Sequence, residues 1–331
     1  MIYDMILSTF QFIDEYPTIA AYLLLTIGSF ATILVPYIES VAYHGKRLTN
    51  YDNKGNKKDK EELTLLHRFN LITIPKYYFT FMYLFSLICC SIPIYYHLKS
   101  INFNNNNDNI RHILESLWKH EPLLILFSLH SLRRFLECIY ITIYGTSVMH
   151  VIGLIVGLVH YGITVLNLAN KQLSPLDQEI AYNISLNAYT SLSSLTLSHT
   201  KRYVGILLFI FANIMQHRFH IILYRIKYNQ QILKKRDENK EEEEDVNSSF
   251  KYEVPRGSWF QYCCCPHYTS EILIYISFVC LHPDPASWFM LLWVVSNLTV
   301  VAADTLRWYQ SHAQLKHEIP MNWSAIIPGI F

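Results

Sequence analysis

Apolar residues gather along this chain in long runs, not in the short alternation of half-buried strands. A helix that crosses a bilayer needs roughly 20 apolar residues. Seven stretches are candidates: 18–43, 77–98, 122–144, 147–169, 203–225, 268–282 and 285–308. The sixth is short for a span and the third is polar for one. The pattern predicts an all-α, multi-pass membrane protein with seven transmembrane helices. The first run lacks a basic stretch before it and is too long for a cleavable signal peptide. Pro36, Pro93 and Pro122 are expected to kink or bound helices. No internal repeat is visible.

Composition agrees with this pattern. Of 331 residues, 51% are hydrophobic and 15% aromatic, and only 16% are charged. Soluble chains average roughly 25% charged residues. The formal net charge of +1 predicts neither a nucleic-acid nor an acidic partner. The seven cysteines form no disulfide framework. Cys263, Cys264 and Cys265 stand in one run, which cannot easily clamp a zinc ion. They are expected to be buried small residues, with palmitoylation as the alternative.

Charge placement orients the spans. Asp4, Asp14 and Glu15 precede the first run, with no Lys or Arg among them. Lys46, Arg47, Lys54, Lys57, Lys58, Lys60, Arg68 and Lys76 follow it, and a second basic loop follows the fifth run. By the positive-inside rule both loops are cytoplasmic, which puts the N-terminus in the lumen and the C-terminus in the cytoplasm. The expected organisation is one integral membrane domain over 1–331. Its loops are a cytoplasmic basic loop at 44–76, an Asn-rich lumenal loop at 99–121 and a cytoplasmic loop at 226–266 that carries the acidic run 240–245. The sequon at Asn183 then faces the lumen, where it can be glycosylated, and those at Asn247, Asn297 and Asn322 are expected to be unused.

Ionisable residues inside spans are costly and usually line a cavity or a site. The third span holds His130, Arg133, Arg134 and Glu137, of which His130, Arg134 and Glu137 share a face and Arg134 and Glu137 can neutralise each other. The fifth holds Asn213, Gln216, His217, Arg218, His220 and Arg225. His267 and Glu271, one turn apart, open the sixth. Together with Tyr309 these clusters predict a polar pocket open to the cytosol, where a soluble ligand and a membrane lipid could meet. His150 and His160 read as satisfied core groups. There is no GxGxxG or GxxxxGK[ST] fingerprint, so a Rossmann fold is not supported.

Four stretches resemble the steroid 5α-reductase family, and within it the polyprenol reductase branch. Residues 74–83 (IPKYYFTFMY) resemble that branch's VPKRYFSHFY, and residues 129–140 (LHSLRRFLECIY) are nearly its LHSLRRLFECLY. Residues 254–262 (VPRGSWFQY), with Pro266, His267, Tyr268 and Glu271, resemble its IPxGDWFEY, PHY and Glu. Arg307, Trp308 and Tyr309, and then 325–331 (AIIPGIF), resemble the family's closing tail. The likeness covers most of the chain beyond about residue 40. Departures are Glu253 in place of a usual Arg, Leu306 in place of a His, Thr73 in place of an acid, and IPMNW at 319–323 in place of a Tyr-Pro-Lys step.

The resemblance implies a seven-helix, 5α-reductase-like bundle in the endoplasmic reticulum membrane that uses NADPH to reduce a C=C bond on the route from polyprenol to dolichol, which serves protein N-glycosylation. It implies cofactor contacts at Arg134, Gln216, His220, Lys227, His267, Glu271 and Tyr309, in a cofactor-binding region over 254–331. It implies substrate contacts at Lys76, Tyr78, His130 and Glu137, with Tyr78 and His130 as catalytic candidates. No metal is implied. The expected lipid partner is a long-chain isoprenoid. An allylic alcohol gives an arriving hydride nowhere to place its charge, so the aldehyde polyprenal is the expected immediate substrate. The alternatives are a 3-oxo-steroid or enoyl reductase of the same family, an inactive lipid-binding relative, and a transporter, which should show repeat symmetry that is not seen.

Overall fold

The computed structural model describes residues 16–34, 72–104, 110–145, 147–169, 171, 188–238, 253–312, 315, 317–327 and 329. Most of the 44–76 basic loop, the Asn183 sequon and the acidic run lie outside the described residues. Eight α-helices follow one another among those described: α1 Pro17–Leu34, α2 Phe79–Asn104, α3 Ile110–His120, α4 Pro122–Tyr140, α5 Val151–Leu168, α6 Ala188–Glu238, α7 Pro266–Leu281 and α8 Pro285–Ser311. Two three-residue strands, β1 Thr73–Pro75 and β2 Val148–His150, pair antiparallel with Ile74 opposite Met149. That pair ties the start of α2 to the start of α5. His150 caps α5 by accepting from the Ile152 amide at 3.2 Å.

The local chemistry explains the helix starts. Proline opens α4, α7 and α8, where its missing N–H costs nothing. Asp284 caps α8 by accepting from the Ser287 amide at 2.7 Å, and its carboxylate also pairs with Lys171 beyond the end of α5. Packing then assembles the bundle: α6 lies along α7, α1 along α8, and α2 against both α4 and α5. The approach of α6 to α7 needs Gly205. A Cβ there would fall 2.7 Å from Leu281 Cγ and 3.3 Å from the Ser277 carbonyl oxygen. The core joins Tyr22 of α1, Leu123, Leu124 and Phe127 of α4, Tyr161 of α5, Phe209 of α6 and Tyr275 and Phe278 of α7.

Each of the seven expected spans falls on a helix in whole or in part. Four helical stretches are long and apolar enough to cross a membrane: Lys76–Ser100, Val151–Leu168, Thr200–Leu233 and Pro285–Ser311. The apolar run of α1 over Pro17–Ser29 is shorter. Helix α7 has 16 residues, or about 24 Å at 1.5 Å per residue, and α4 carries three charges in its second half.

Two loop expectations need correction. Within 99–121, α2 continues to Asn104 and α3 fills Ile110–His120. Ile110, Ile113, Leu114, Leu117 and Trp118 repeat at helical spacing there, and Arg111 pairs with Glu115 one turn on. Within 226–266, α6 runs on to Glu238, because no proline or glycine interrupts the chain after Gly205. The cysteine run is buried as expected: Cys263, Cys264 and Cys265 are 0%, 3% and 1% exposed. Burial pushes the Cys263 thiol up to about 11, so it offers neither the access nor the thiolate that acylation needs.

Candidate active site

The first half of α4 is apolar and enters the core; its second half turns polar. His130, Arg133, Arg134 and Glu137 recur at three- and four-residue steps and point at one another and at the neighbouring helices. On α6, Asn213, Gln216, His217 and His220 repeat in the same way. On α7, His267 and Glu271 lie one turn apart. Three polar helix faces therefore converge inside an otherwise apolar bundle.

Glu137 is the hub of the α4–α6 half. Its side chain is 2% exposed. It pairs with Arg133, with Arg134 at 2.5 Å, with His217 Nδ1 at 2.7 Å and with His220 Nδ1 at 2.7 Å. The His220 Nδ1 also lies 2.7 Å from Arg134 Nη1. One ring nitrogen cannot donate to the carboxylate and accept from the guanidinium at once, so the tautomer selects the partner. Arg134 Nε donates to the Tyr83 hydroxyl at 3.1 Å, and the guanidinium sits 5.0 Å from that ring's centre.

Glu271 is the hub of the α7 half. Gln216 donates its amide N–H to Glu271 and accepts from Arg133, joining the two halves. The imidazole of His130 lies between them. Arg133 Nη2 is 3.3 Å from His130 Nδ1, and Arg133 Nε donates to Asn213 Oδ1 at 3.1 Å. His130 Nδ1 also lies 3.1 Å from Asn213 Oδ1, and since that oxygen only accepts and the guanidinium only donates, the tautomer of His130 selects between them. The His130 Nε2 is buried without a hydrogen-bond partner, 3.4 Å from Glu271 Oε1 but off hydrogen-bonding geometry. His267 Nδ1 is likewise buried and unpartnered, and its ring centre is 5.6 Å from that of His220. Two arginines against two glutamates leave the cluster formally neutral.

Seven of the residues singled out in the sequence meet here: His130, Arg134, Glu137, Gln216, His220, His267 and Glu271. Four sit apart. Tyr78 stacks on Tyr77 at 4.8 Å and leans on Phe81. Tyr309 packs against Trp308 and, at 5.2 Å, against Trp323. Lys227 donates to the Ile143 carbonyl at 3.0 Å. Lys76 opens the turn before α2, with its ammonium 5.8 Å from the centre of the Phe79 ring. Arg133, Asn213, His217 and Tyr83 join the seven: the first three stand out in the sequence as polar groups of their spans, but their pairing does not, and Tyr83 carries no such signal. A face-by-face reading of α4 favours Arg134 over Arg133, yet a guanidinium stem is long enough to serve either side of a helix. His150 and His160 are satisfied as expected, His160 by the Tyr275 hydroxyl at 2.9 Å.

Residues 180–331 match the family described as 3-oxo-5-alpha-steroid 4-dehydrogenase. The chain is also similar to polyprenal reductases from several organisms and spans 60% of the length of the first of them. It is 30% identical over 213 residues to that of Xenopus tropicalis, an alignment covering 63% of this chain and 60% of the relative. It is 25% identical over 273 residues to that of Ailuropoda melanoleuca, covering 78% of each. It is 24% identical over 275 residues to that of Saccharomyces cerevisiae, covering 83% of this chain and 81% of the relative.

Proposed function

We propose that this protein is a membrane reductase that uses a nicotinamide cofactor, NADPH, to saturate the C=C bond next to the aldehyde of polyprenal. Its place is then the route to dolichol, in the endoplasmic reticulum membrane, with seven spans, a lumenal N-terminus and a cytoplasmic C-terminus. The observation that carries the reading is the pair of buried imidazole nitrogens without a hydrogen bond, His130 Nε2, 3.4 Å from Glu271 Oε1, and His267 Nδ1, one turn before Glu271. Buried polar atoms ordinarily find partners. Two that lack one, in a cluster whose charges already balance, fit groups that a ligand completes.

The cofactor also fits what surrounds the cluster. His267, His220, Gln216 and Glu271 would hold its nicotinamide end, where the imidazoles and the Gln216 amide can both donate and accept and the Glu271 carboxylate accepts from an amide N–H. Lys76 and Lys227, both cations, suit its phosphates. When bound, the cofactor supplies a hydride. His130 Nε2–H would donate to the aldehyde oxygen, where negative charge develops as the β-carbon is reduced. That role needs the tautomer in which His130 Nδ1 accepts from Arg133 and Nε2 keeps the proton, and Glu137 holds Arg133. The apolar walls around the cluster exclude water and strengthen each of these interactions. Exposed apolar side chains along α2 and α4, among them Phe81, Ile88, Leu129 and Leu136, suit a substrate that never leaves the bilayer.

The test is NADPH oxidation by the purified full chain in lipid, offered polyprenal, polyprenol and a 3-oxo-4-ene steroid in parallel. Turnover with polyprenal alone is expected. Turnover with the steroid would move the protein to another activity of its family. Saturable lipid binding without turnover would overturn the reductase reading and make Glu253 and Leu306 marks of a lost cofactor site.

A further inference from the structure

Helix α3 stands apart from the rest of the bundle in composition. At about 100° per residue its apolar side chains Ile113, Leu117, Ile110, Leu114 and Trp118 fill one continuous arc of about 140°. Among the described residues, protein meets one edge of that arc, where α3 packs on α2 and α4. Ile113 and Leu117 are half-buried at that edge, and beside them His97 of α2 lies 3.3 Å from Ser116 Oγ. The other edge is bare: Ile110 is 73% exposed, Leu114 60% and Trp118 42%. The remaining face carries Arg111, Glu115, Lys119 and His112, all exposed.

What covers the bare edge follows from its neighbours. Helix α3 joins the end of α2, long and apolar enough to cross a membrane, to the start of α4. Helix α2, against which α3 packs, has its own exposed apolar side chains, Ile88 and Ile92 and then, towards its end, Tyr95 and Tyr96, 60% and 64% exposed. Exposed Tyr and Trp gathered where a spanning helix ends are the mark of the headgroup level of a bilayer. The sideways arrangement of the arc, half on protein and half bare, suits a helix whose bare half dips among acyl chains while its charged edge stays in water.

We propose that α3 is an interfacial helix, inserted by Ile110, Leu114 and Trp118 into the boundary between headgroups and acyl chains of the lipid bilayer. It fixes the depth at which the α2–α4 pair, and with it the Arg133–Glu137 cluster one helix length away, sits in the membrane. The inference stands on the geometry of α3 and needs no particular enzyme activity.

Nitroxide labels on Leu114→Cys and on His112→Cys, in the full chain reconstituted into phosphatidylcholine vesicles, test it. Relaxation by dissolved oxygen reports the acyl region, and relaxation by a water-soluble nickel chelate reports water; the labelled wild-type chain controls for native cysteines. The expected result is an oxygen-to-chelate accessibility ratio several-fold higher at 114 than at 112, reproduced at Ile110→Cys. Equal access of the chelate to 112 and 114 would put the stripe in water and overturn the proposal. A label at 114 shielded from both relaxants would mean that protein covers the stripe, which overturns it as well.

Discussion

The cluster turns on the fact that a guanidinium only donates. Arg133 touches Glu137, Gln216, Asn213 and His130, and it competes with the accepting Asn213 Oδ1 for His130 Nδ1, so Nε2 keeps the proton only where Nδ1 turns to Arg133. If His130 Nε2–H stabilises the developing oxyanion, His130→Ala should lower kcat by roughly 100-fold to 1000-fold, the usual cost of an oxyanion donor, with a smaller change in the KM for NADPH. The tyrosines give a sharper comparison. Tyr83 holds Arg134 by its hydroxyl, whereas Tyr78 is stacked against rings. Tyr83→Phe should therefore reduce turnover more than Tyr78→Phe does. Steady-state rates with polyprenal for the three variants decide it, and a larger loss at Tyr78 would return the donor role to that residue.

At the scale of elements, apolar run length made the helices legible in the sequence. It could not show where they end, because α6 is prolonged by polar, helix-favouring residues that carry no apolar signal. The polar residues of the site were legible too, because charge inside a span stands out; their pairing was not. Arg133 and Arg134 are equivalent by composition, and only the positions of Asn213, Gln216 and His220 on α6 divide the work between them. Junctions such as the α5–α8 end were equally hidden. There Asp284 lies outside the spans. Burial acts to raise its carboxyl, but the Lys171 ammonium and the Ser287 amide outweigh it and hold it below the ordinary carboxylate range. A depressed carboxyl adds stability above its unfolded value and loses it as pH falls through its folded value, so this contribution fades below about pH 4. Asp284→Asn keeps a capping oxygen but loses the charge. It should cost roughly 1 kcal/mol at pH 7 and less at pH 3. Thermal unfolding of both proteins in lipid at the two pH values measures this, and an equal loss at both would remove the ion pair as its cause.

At the scale of the whole molecule, the last described residues are part of the site's frame. The chain returns after α8 and lies parallel to the segment before α7. Cys264 N donates to Ser324 O at 2.9 Å, Cys265 N to Ala325 O at 3.1 Å, and Ser324 N to Tyr262 O at 3.1 Å. Thr269, inside the first turn of α7, donates to Ile326 O at 2.8 Å. Trp323 is 5% exposed, donates Nε1–H to Phe260 O at 2.6 Å and carries the Tyr309 ring on its face. These bonds grip the turn that aims His267 and Glu271, so the tail and Tyr309 would serve the proposed cofactor without touching the Arg133–Glu137 hub. Removing a buried Trp side chain typically costs about 3–5 kcal/mol, enough to loosen such a strap. Trp323→Ala should then raise the KM for NADPH by roughly tenfold or more while kcat at saturating cofactor falls less, because the α4 donor His130 is left in place. Trp323→Phe keeps the ring but not the donor and should fall between. If Trp323→Ala folds in lipid with an unchanged KM for NADPH, the tail is packing alone, and the cofactor end of the site must be sought away from the start of α7.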